Sequence, residues 1–148
     1  MNVAKVAQSI ADDCIGFRIR MLNRIVSRIY DDALRPYGIR FSQMNILTVL
    51  VLKGPIQPTA VGNLLSLEKS TLSRNVRLME ENGWVKTSTT DNGVGHLLEI
   101  TPQGRLIYKK VAPSWRLAQQ QLESAIGSQG ISAIRAAADE LRAADSNH

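Results

Sequence analysis

Residues 58–83 decide the fold, and they read PTAVGNLLSLEKSTLSRNVRLMEENG. Pro58 suits the first position of a short helix, because its fixed backbone angle matches the helix and no N–H group is needed there. After Ser66-Leu67, a longer helix is predicted over about residues 68–82, since Gly83 is typical of the position just beyond a helix end. Two helices joined by so short a turn predict a helix-turn-helix.

The longer helix has two different sides. Leu72, Val76 and Met79 recur at steps of four and three residues, which predicts a buried side. The opposite side carries Ser70, Ser73, Arg74 and Arg77, with Thr71 and Asn75 flanking it. Small residues let a helix N-terminus approach a DNA duplex, and arginine can pair with guanine through two hydrogen bonds. The alternative is an ordinary solvated helix face.

Short elements on both sides complete this core. Upstream, Ser42 is expected to cap a helix that ends at Gly54-Pro55. The short helix begins at Pro58 and ends near Leu65. Its inner side is expected to carry Val61, Leu64 and Leu65. Downstream, residues 84–89 and 96–100 have strand composition and flank a turn at residues 91–95, which predicts a β-hairpin. Three short helices and a hairpin predict a winged helix-turn-helix.

Long amphipathic helices are predicted at both ends of the chain. The first should run over about residues 12–35 and end at Pro36. Its apolar stripe is formed by Ile15, Ile19, Leu22, Val26, Ile29 and Ala33. After the hairpin, Thr101 should cap a fifth helix that runs to about Ile126 and bends near Pro113. A last helix has its inner face at Ile131, Ile134, Ala138 and Leu141.

The expected fold is mainly α with a small β-hairpin wing. Residues 41–100 form the winged helix-turn-helix core, residues 1–40 an N-terminal dimerisation helix, and residues 101–148 the C-terminal dimerisation helices. The apolar stripes of the flanking helices exceed what the core can cover, and exposed apolar area of that size is normally buried against a partner. We therefore expect a stable homodimer whose folding is linked to association.

Composition excludes several function classes. The 148 residues carry 18 Lys and Arg against 13 Asp and Glu, a formal charge of +5, and 44% are apolar, as in globular chains. No membrane-spanning run and no signal peptide is found, so a cytoplasmic location without membrane partners is expected. The single Cys14 excludes an internal disulfide and, with only two histidines, predicts no metal site. No catalytic motif is present, so we predict neither an enzyme nor a cofactor.

Residues 64–76 (LLSLEKSTLSRNV) and 98–104 (LEITPQG) resemble the corresponding segments of MarR-family transcriptional regulators. Further matches are Leu34, Pro36, Gly38-Ile39, Gln43, Leu78, Glu80, Gly83 and Trp84. The resemblance covers about residues 10–145. It implies an obligate homodimer in which the first, fifth and sixth helices interleave across the two-fold axis. It also implies a repressor that binds pseudo-palindromic double-stranded DNA and is released by a small aromatic or phenolic effector or by oxidation.

Eight residues are expected at the DNA interface. They are Thr59, Lys69, Ser70, Thr71, Ser73, Arg74, Arg77 and Lys86. Arg74 should reach a base or a phosphate in the major groove while the hydroxyl residues position the helix. Lys86, at the base of the hairpin, suits a phosphate contact.

Three departures from the family pattern leave a second function open. Gln57 stands where the family usually has a Ser, Thr or Asn cap on the third helix. The wing, residues 91–96 (DNGVGH), has no arginine, and residues 41–100 contain five basic and five acidic side chains. The wing is therefore expected to add little affinity, and Val94→Arg to strengthen DNA binding and its salt dependence. The alternative function is a winged-helix interaction module with weak or no DNA binding.

Other candidate residues have two interpretations each. Some family members sense peroxides through a first-helix cysteine, but Asp12 and Asp13 disfavour a thiolate at Cys14, so a plain packed residue is expected. His96 is expected to be an ordinary hairpin residue rather than a ligand or a base. Either an effector pocket or dimer packing would explain Trp115, Arg116 and Gln119.

Overall fold

The computed structural model describes residues 2–93 and 95–146. The N-terminal part contains α1 (Val3–Asp13), α2 (Ile15–Leu34) and one 3-10 turn (Arg35–Tyr37). The middle part contains α3 (Phe41–Lys53), α4 (Pro58–Leu65), α5 (Lys69–Glu81), β1 (Val85–Thr89) and β2 (His96–Ile100). The C-terminal part contains α6 (Pro102–Ile126) and α7 (Ser128–Asp145). This order confirms the predicted mainly α fold with a hairpin. Among the described residues, no helix is long and apolar enough to cross a membrane.

The first predicted helix is in fact two helices. Cys14 has an extended backbone (φ −69°, ψ 113°), so it ends α1 and caps α2. Its N–H donates to the Ile10 carbonyl at 3.0 Å, and its Sγ accepts the Phe17 N–H at 3.5 Å. The predicted start at residue 12 is therefore wrong. Amphipathic helical structure extends back to Val3, and the break at Cys14 interrupts it.

The helix-turn-helix has the predicted boundaries. α4 begins at Pro58 and ends before Ser66, which adopts the left-handed conformation at φ 52°. The Leu67 N–H then donates to the Gly62 carbonyl at 2.9 Å. A Cβ on Gly62 would lie 3.4 Å from the Leu67 carbonyl oxygen, so the small residue lets the turn pack closely on α4. Gly83 follows α5 at φ 75°, as its position after the helix predicted.

One detail of α4 and one of α3 differ from the prediction. Leu64 is 49% exposed rather than inward, whereas Val61 is buried and Leu65 is half-buried, as predicted. Ser42 is not the cap of α3, since Arg40 occupies that position and Ser42 lies in the first turn. The Arg40 N–H donates to Oε1 of the buried Gln43 at 3.1 Å, so the glutamine satisfies the backbone there.

The hairpin has the predicted strands in an antiparallel register. Val85 lies opposite Ile100 and Thr89 lies opposite His96. The segment between α3 and α4 adds one more backbone pair, with Ile56 bonded to Leu98 in both directions at 3.1 and 2.8 Å. Val94, where an arginine was expected to strengthen binding, lies outside the described residues.

The core consists of two clusters of apolar side chains. The larger unites the winged helix with α2 and α6 through fully buried side chains that include Leu34, Ile39, Ile46, Leu47, Leu50, Val61, Met79, Leu98 and Val111. The smaller lies between α2 and α6 around Tyr30, Ala118 and Leu122. Phe41 and Trp115 pack against both clusters, so they join the winged helix to the flanking helices.

The flanking helices bury almost nothing at their free ends. Neither α1 nor α7 contains a buried residue. Large exposed apolar side chains there and in the first half of α2 are Val3, Val6, Ile10, Ile15, Phe17, Ile19, Met21, Leu22, Ile25, Ile134 and Leu141. The inner face predicted for the last helix is therefore not buried within one chain, and only Ile131 of its four residues is even half-buried.

α6 begins as predicted and is continuous to its predicted end. Oγ1 of Thr101 accepts the Gly104 N–H at 3.0 Å, which caps the helix. The helix continues through Pro113 to Ile126, although a proline there lacks the N–H for one helical hydrogen bond.

Candidate nucleic-acid interface

The outer face of α5 is the surface that the sequence pattern indicated. Leu72 and Met79 are buried and Val76 is half-buried, so one side of the helix packs on the core. The other side exposes Ser70, Ser73, Arg74 and Arg77, while Thr71 and Asn75 are half-buried beside it. The predicted division of the helix into a buried and an exposed side is confirmed.

The N-terminus of α5 is open. Glu68 is its N-cap residue, but the carboxylate makes no capping hydrogen bond, and the first helical bond in the turn runs from the Leu72 N–H to the Glu68 carbonyl at 3.0 Å. The N–H groups of the first turn have no partner within the helix. Such groups can donate to a phosphate that approaches along the helix axis.

A cleft of about 790 Å³ lies between α4, α5 and the hairpin. It brings together three of the eight predicted interface residues, namely Thr59, Lys69 and Ser73. It is also lined by polar side chains that sequence reasoning did not select, among them Asn63, Thr87 and His96. The spacing of Thr59 and Asn63, one helical turn apart on α4, was the available signal for Asn63.

The remaining predicted residues lie outside this cleft. Ser70, Arg74 and Arg77 point from α5 into solvent, Thr71 lies at the edge of the helix, and Lys86 lies on β1. The hairpin is tied to α5 by a hydrogen bond from Oγ1 of Thr87 to Oε1 of Glu80. The helix and the hairpin therefore form one continuous surface.

Two of the four cations on this surface are already paired. Nε of Arg77 lies 3.4 Å from Oε1 of Glu81, and Nζ of Lys86 lies 3.3 Å from Oε2 of Glu99. Among the described residues, Arg74 and Lys69 have no acidic partner within ion-pair distance. Exposed ion pairs are worth about 0–1 kcal/mol. A phosphate can therefore displace Glu81 or Glu99, but Arg74 and Lys69 supply the uncompensated charge.

The wing supplies no fixed cation over its described tip. The residues between the strands are Thr90, Asp91, Asn92, Gly93 and Gly95, apart from the position that is not described. Gly93 and Gly95 adopt positive φ angles of 72° and 87°, which glycine tolerates without strain. His96, at the start of β2, is exposed.

The structure supports a packing interpretation for the other candidates. Cys14 is half-buried at the break between α1 and α2. Trp115 packs in both apolar clusters. Oε1 of Gln119 accepts the hydroxyl hydrogen of Tyr30, so its amide joins α6 to α2 rather than facing a cavity.

Comparison by sequence finds helix-turn-helix regulators. No family model matches the chain. Over 94 residues the chain is 26% identical to the uncharacterized HTH-type transcriptional regulator YwoH of Bacillus subtilis. This matched segment covers 64% of this chain and 69% of YwoH. Over 94 residues the chain is also 28% identical to the multiple antibiotic resistance protein MarR of Salmonella typhimurium. This second matched segment covers 63% of this chain and 65% of MarR.

Comparison by structure extends the likeness to nearly the whole chain. The M. tuberculosis transcriptional regulator MosR matches with a TM-score of 0.79 at 27% identity, over 92% of this chain and 98% of that one. The structure of MosR in complex with DNA matches with a TM-score of 0.78 at 26% identity, over 92% of this chain and 99% of that one. In sequence and in fold, the chain is therefore similar to MarR and other helix-turn-helix transcriptional regulators.

Proposed function

We propose that the protein is a transcriptional repressor that binds a pseudo-palindromic operator as a homodimer, through the outer face of α5. The observation that carries this proposal is the division of α5, which buries Leu72 and Met79 and exposes Arg74 among short hydroxyl side chains. The relatives support it, because they are transcriptional regulators, and MosR has been solved in complex with DNA. The protein acts in the cytoplasm and carries no catalytic activity or cofactor of its own.

Each interface residue has a distinct role in this proposal. Arg74 pairs with a guanine edge or a phosphate in the major groove, and Ser70, Thr71 and Ser73 let the helix approach and bond to phosphate oxygens. Arg77, Lys69, Thr59 and Lys86 bind the DNA backbone on either side. Because Arg77 and Lys86 start from ion pairs with acidic neighbours, their net contribution is smaller than that of Lys69.

The homodimer follows from the uncovered apolar surface of the flanking helices. α1 and α7 have no buried residue in one chain, although both are amphipathic. Apolar stripes of this extent are stable in water when a second copy covers them. Interleaving of the first and the last two helices across a two-fold axis covers them and places two α5 helices for two half-sites.

The decisive experiment combines Arg74→Ala with a matched control, Arg116→Ala, which removes an exposed arginine from α6 instead. Genome-wide footprinting with the wild-type protein identifies the operator first. Arg74→Ala is expected to weaken operator binding by about 1–3 kcal/mol per half-site, without a change in melting temperature, because its side chain packs against nothing in the core. Arg116→Ala is expected to leave affinity unchanged. Full affinity of the Arg74→Ala variant would show that the assigned face is wrong.

A second function is favoured by one specific observation, the lack of net charge over residues 41–100, with five basic and five acidic side chains. It is an interaction module of winged-helix shape that binds DNA weakly or not at all. The slope of log affinity against log salt separates the two, since each phosphate neutralised contributes about −0.9. A protein that protects no genomic site, and whose residual binding is independent of sequence, supports the interaction module.

An effector completes the proposal. The family resemblance implies a small aromatic or phenolic molecule that releases the operator. Titration of the protein–operator complex with a panel of phenolic carboxylates tests it. A concentration-dependent release is the expected result, and a panel without effect on a fully active complex contradicts it.

A further inference from the structure

A chain of polar contacts links the flanking helices α2, α6 and α7 to one another, outside the DNA interface. Tyr30 of α2 is only 6% exposed, and its hydroxyl donates to Oε1 of Gln119 on α6. Nε2 of Gln119 donates to Oε1 of Glu123 at 2.8 Å, and the same oxygen lies 3.7 Å from the guanidinium of Arg135 on α7. Three helices are thus connected through polar side chains.

The same tyrosine holds the first residue of α3. Its ring stacks on Phe41, with the centroids 4.2 Å apart and an angle of 16° between the planes. The next residue along α2, Asp31, accepts the Phe41 N–H through Oδ1 at 2.7 Å. Phe41 also packs against both apolar clusters. The winged helix is therefore attached to the flanking helices through both the side chain and the backbone of one residue.

This junction favours a single geometry. Burial raises the pKa of Tyr30, and the negative charge of Glu123 raises it further, so the hydroxyl remains a donor at neutral pH. The amide of Gln119 is fixed in orientation because its oxygen accepts from Tyr30 and its nitrogen donates to Glu123. A movement of α2 relative to α6 would leave the hydroxyl of the buried Tyr30 without its acceptor, which is costly, and would shift the ring on which Phe41 stacks.

We propose that Tyr30 and Gln119 are positioning residues, which set the angle between the winged helix and the flanking helices and thereby the separation of the two α5 helices in the dimer. The inference rests on the proposed homodimeric, DNA-binding function. Two half-sites lie about 34 Å apart along the duplex, so the two reading helices must keep a matching distance. α5 packs on α3, and a rotation of α3 at Phe41 moves α5 with it.

The test uses Tyr30→Phe, which keeps the stacked ring and removes only the hydroxyl. Tyr37→Phe is the matched control: the Tyr37 hydroxyl lies 3.1 Å from Oγ of Ser114 on α6, so this change also removes one tyrosine hydroxyl that contacts α6. The ring that stacks on Phe41, however, is that of Tyr30. Affinity is measured for operators whose half-sites are moved apart or together by one or two base pairs.

Tyr30→Phe is expected to weaken binding at the native spacing by about three- to tenfold, the equivalent of one hydrogen bond, and to reduce the preference for that spacing. Gln119→Leu should act in the same way, and the double variant should be no worse than either single one. The control should keep the wild-type preference. The proposal is overturned if Tyr30→Phe or Gln119→Leu is folded and dimeric and still shows the wild-type spacing preference.

A second measurement separates this proposal from the proposed function. Nitroxide labels at Glu81→Cys, in a Cys14→Ser background, report the distance between the two α5 helices without DNA. Tyr30→Phe should broaden that distance distribution, and the control Tyr37→Phe should not. If the wild-type protein binds no operator but Tyr30→Phe still broadens the distribution, the proposed function fails and the positioning role stands. An unchanged distribution in a stable dimer, or the absence of a dimer, overturns the positioning role.

Discussion

The winged helix and the flanking helices of this chain are both built from amphipathic helices, yet they differ in what covers their apolar sides. Six residues of α3 are buried within the chain, whereas α1 and α7 bury none. The winged helix is covered within the chain because α3, α4, α5 and the hairpin pack on one another and on Leu34 of α2 and Val111 of α6. The apolar sides of the flanking helices are covered mainly where α2 and α6 cross, around Tyr30, Ala118 and Leu122.

The difference shows that amphipathicity alone does not decide whether a surface is an interior. Leu47 and Leu141 occupy the same kind of position on their helices, but the first is fully buried and the second is 66% exposed. In the proposed dimer, a second copy of the chain covers the apolar side of the flanking helices. The effect of a substitution there should therefore depend on protein concentration, whereas the effect of a substitution in the winged helix should not.

The largest effect is expected in the winged helix. Leu47→Ala should lower the free energy of unfolding by about 2–5 kcal/mol, because a buried leucine leaves a cavity when it is truncated. Chemical denaturation measures it. Leu52→Ala is the matched control on the same helix, since Leu52 is 74% exposed, and it should change stability by less than about 0.5 kcal/mol. Equal losses in the two variants would contradict the assigned core.

The second effect is expected in the flanking helices and sharpens the comparison. Leu141→Glu should raise the dissociation constant of the dimer by about a hundredfold or more, because association would bury a charge. Sedimentation across a range of concentrations measures it. Leu52→Glu adds the same charge to an exposed leucine of the winged helix and should leave the dimer intact. A wild-type chain that is a folded monomer at micromolar concentration would remove the basis of the comparison.

The smallest effect is expected where the two regions meet at the start of α6. Thr101→Ala should cost about 1–2 kcal/mol, because it removes a hydroxyl that accepts the Gly104 N–H as the cap of α6 and donates to the Gly83 carbonyl. Thr101→Ser keeps the hydroxyl and should recover most of the loss. Thermal or chemical unfolding of the three proteins checks the order, and a serine variant as weak as the alanine variant would assign the loss to packing of the methyl group instead.

The sequence predicted the part of the candidate site that lies on the single helix α5. The pattern of Leu72, Val76 and Met79 was sufficient to identify the exposed side of α5, because helical periodicity determines which side chains share a face. The cleft with Asn63, Thr87 and His96 was not predicted, since it requires α4 and the hairpin to be placed beside α5.

The sequence by itself determined where the two strands and the helices after Leu34 lie, and which chemistry α5 exposes. Pro58, Gly83 and Thr101 act on their immediate neighbours, so their effects are visible in a short stretch of sequence. The break at Cys14 escaped this reasoning, because the residues around it continue a helical pattern.

Only the tertiary structure decided which side chains are covered and paired. Tyr30 and Gln119 are 89 positions apart, and their hydrogen bond exists because α2 and α6 cross. The exposure of Leu64 and the pairing of Lys86 with Glu99 likewise depend on neighbours that folding brings together. Local backbone preferences act over a few residues, whereas burial and pairing depend on contacts between distant segments, and periodicity cannot specify those contacts.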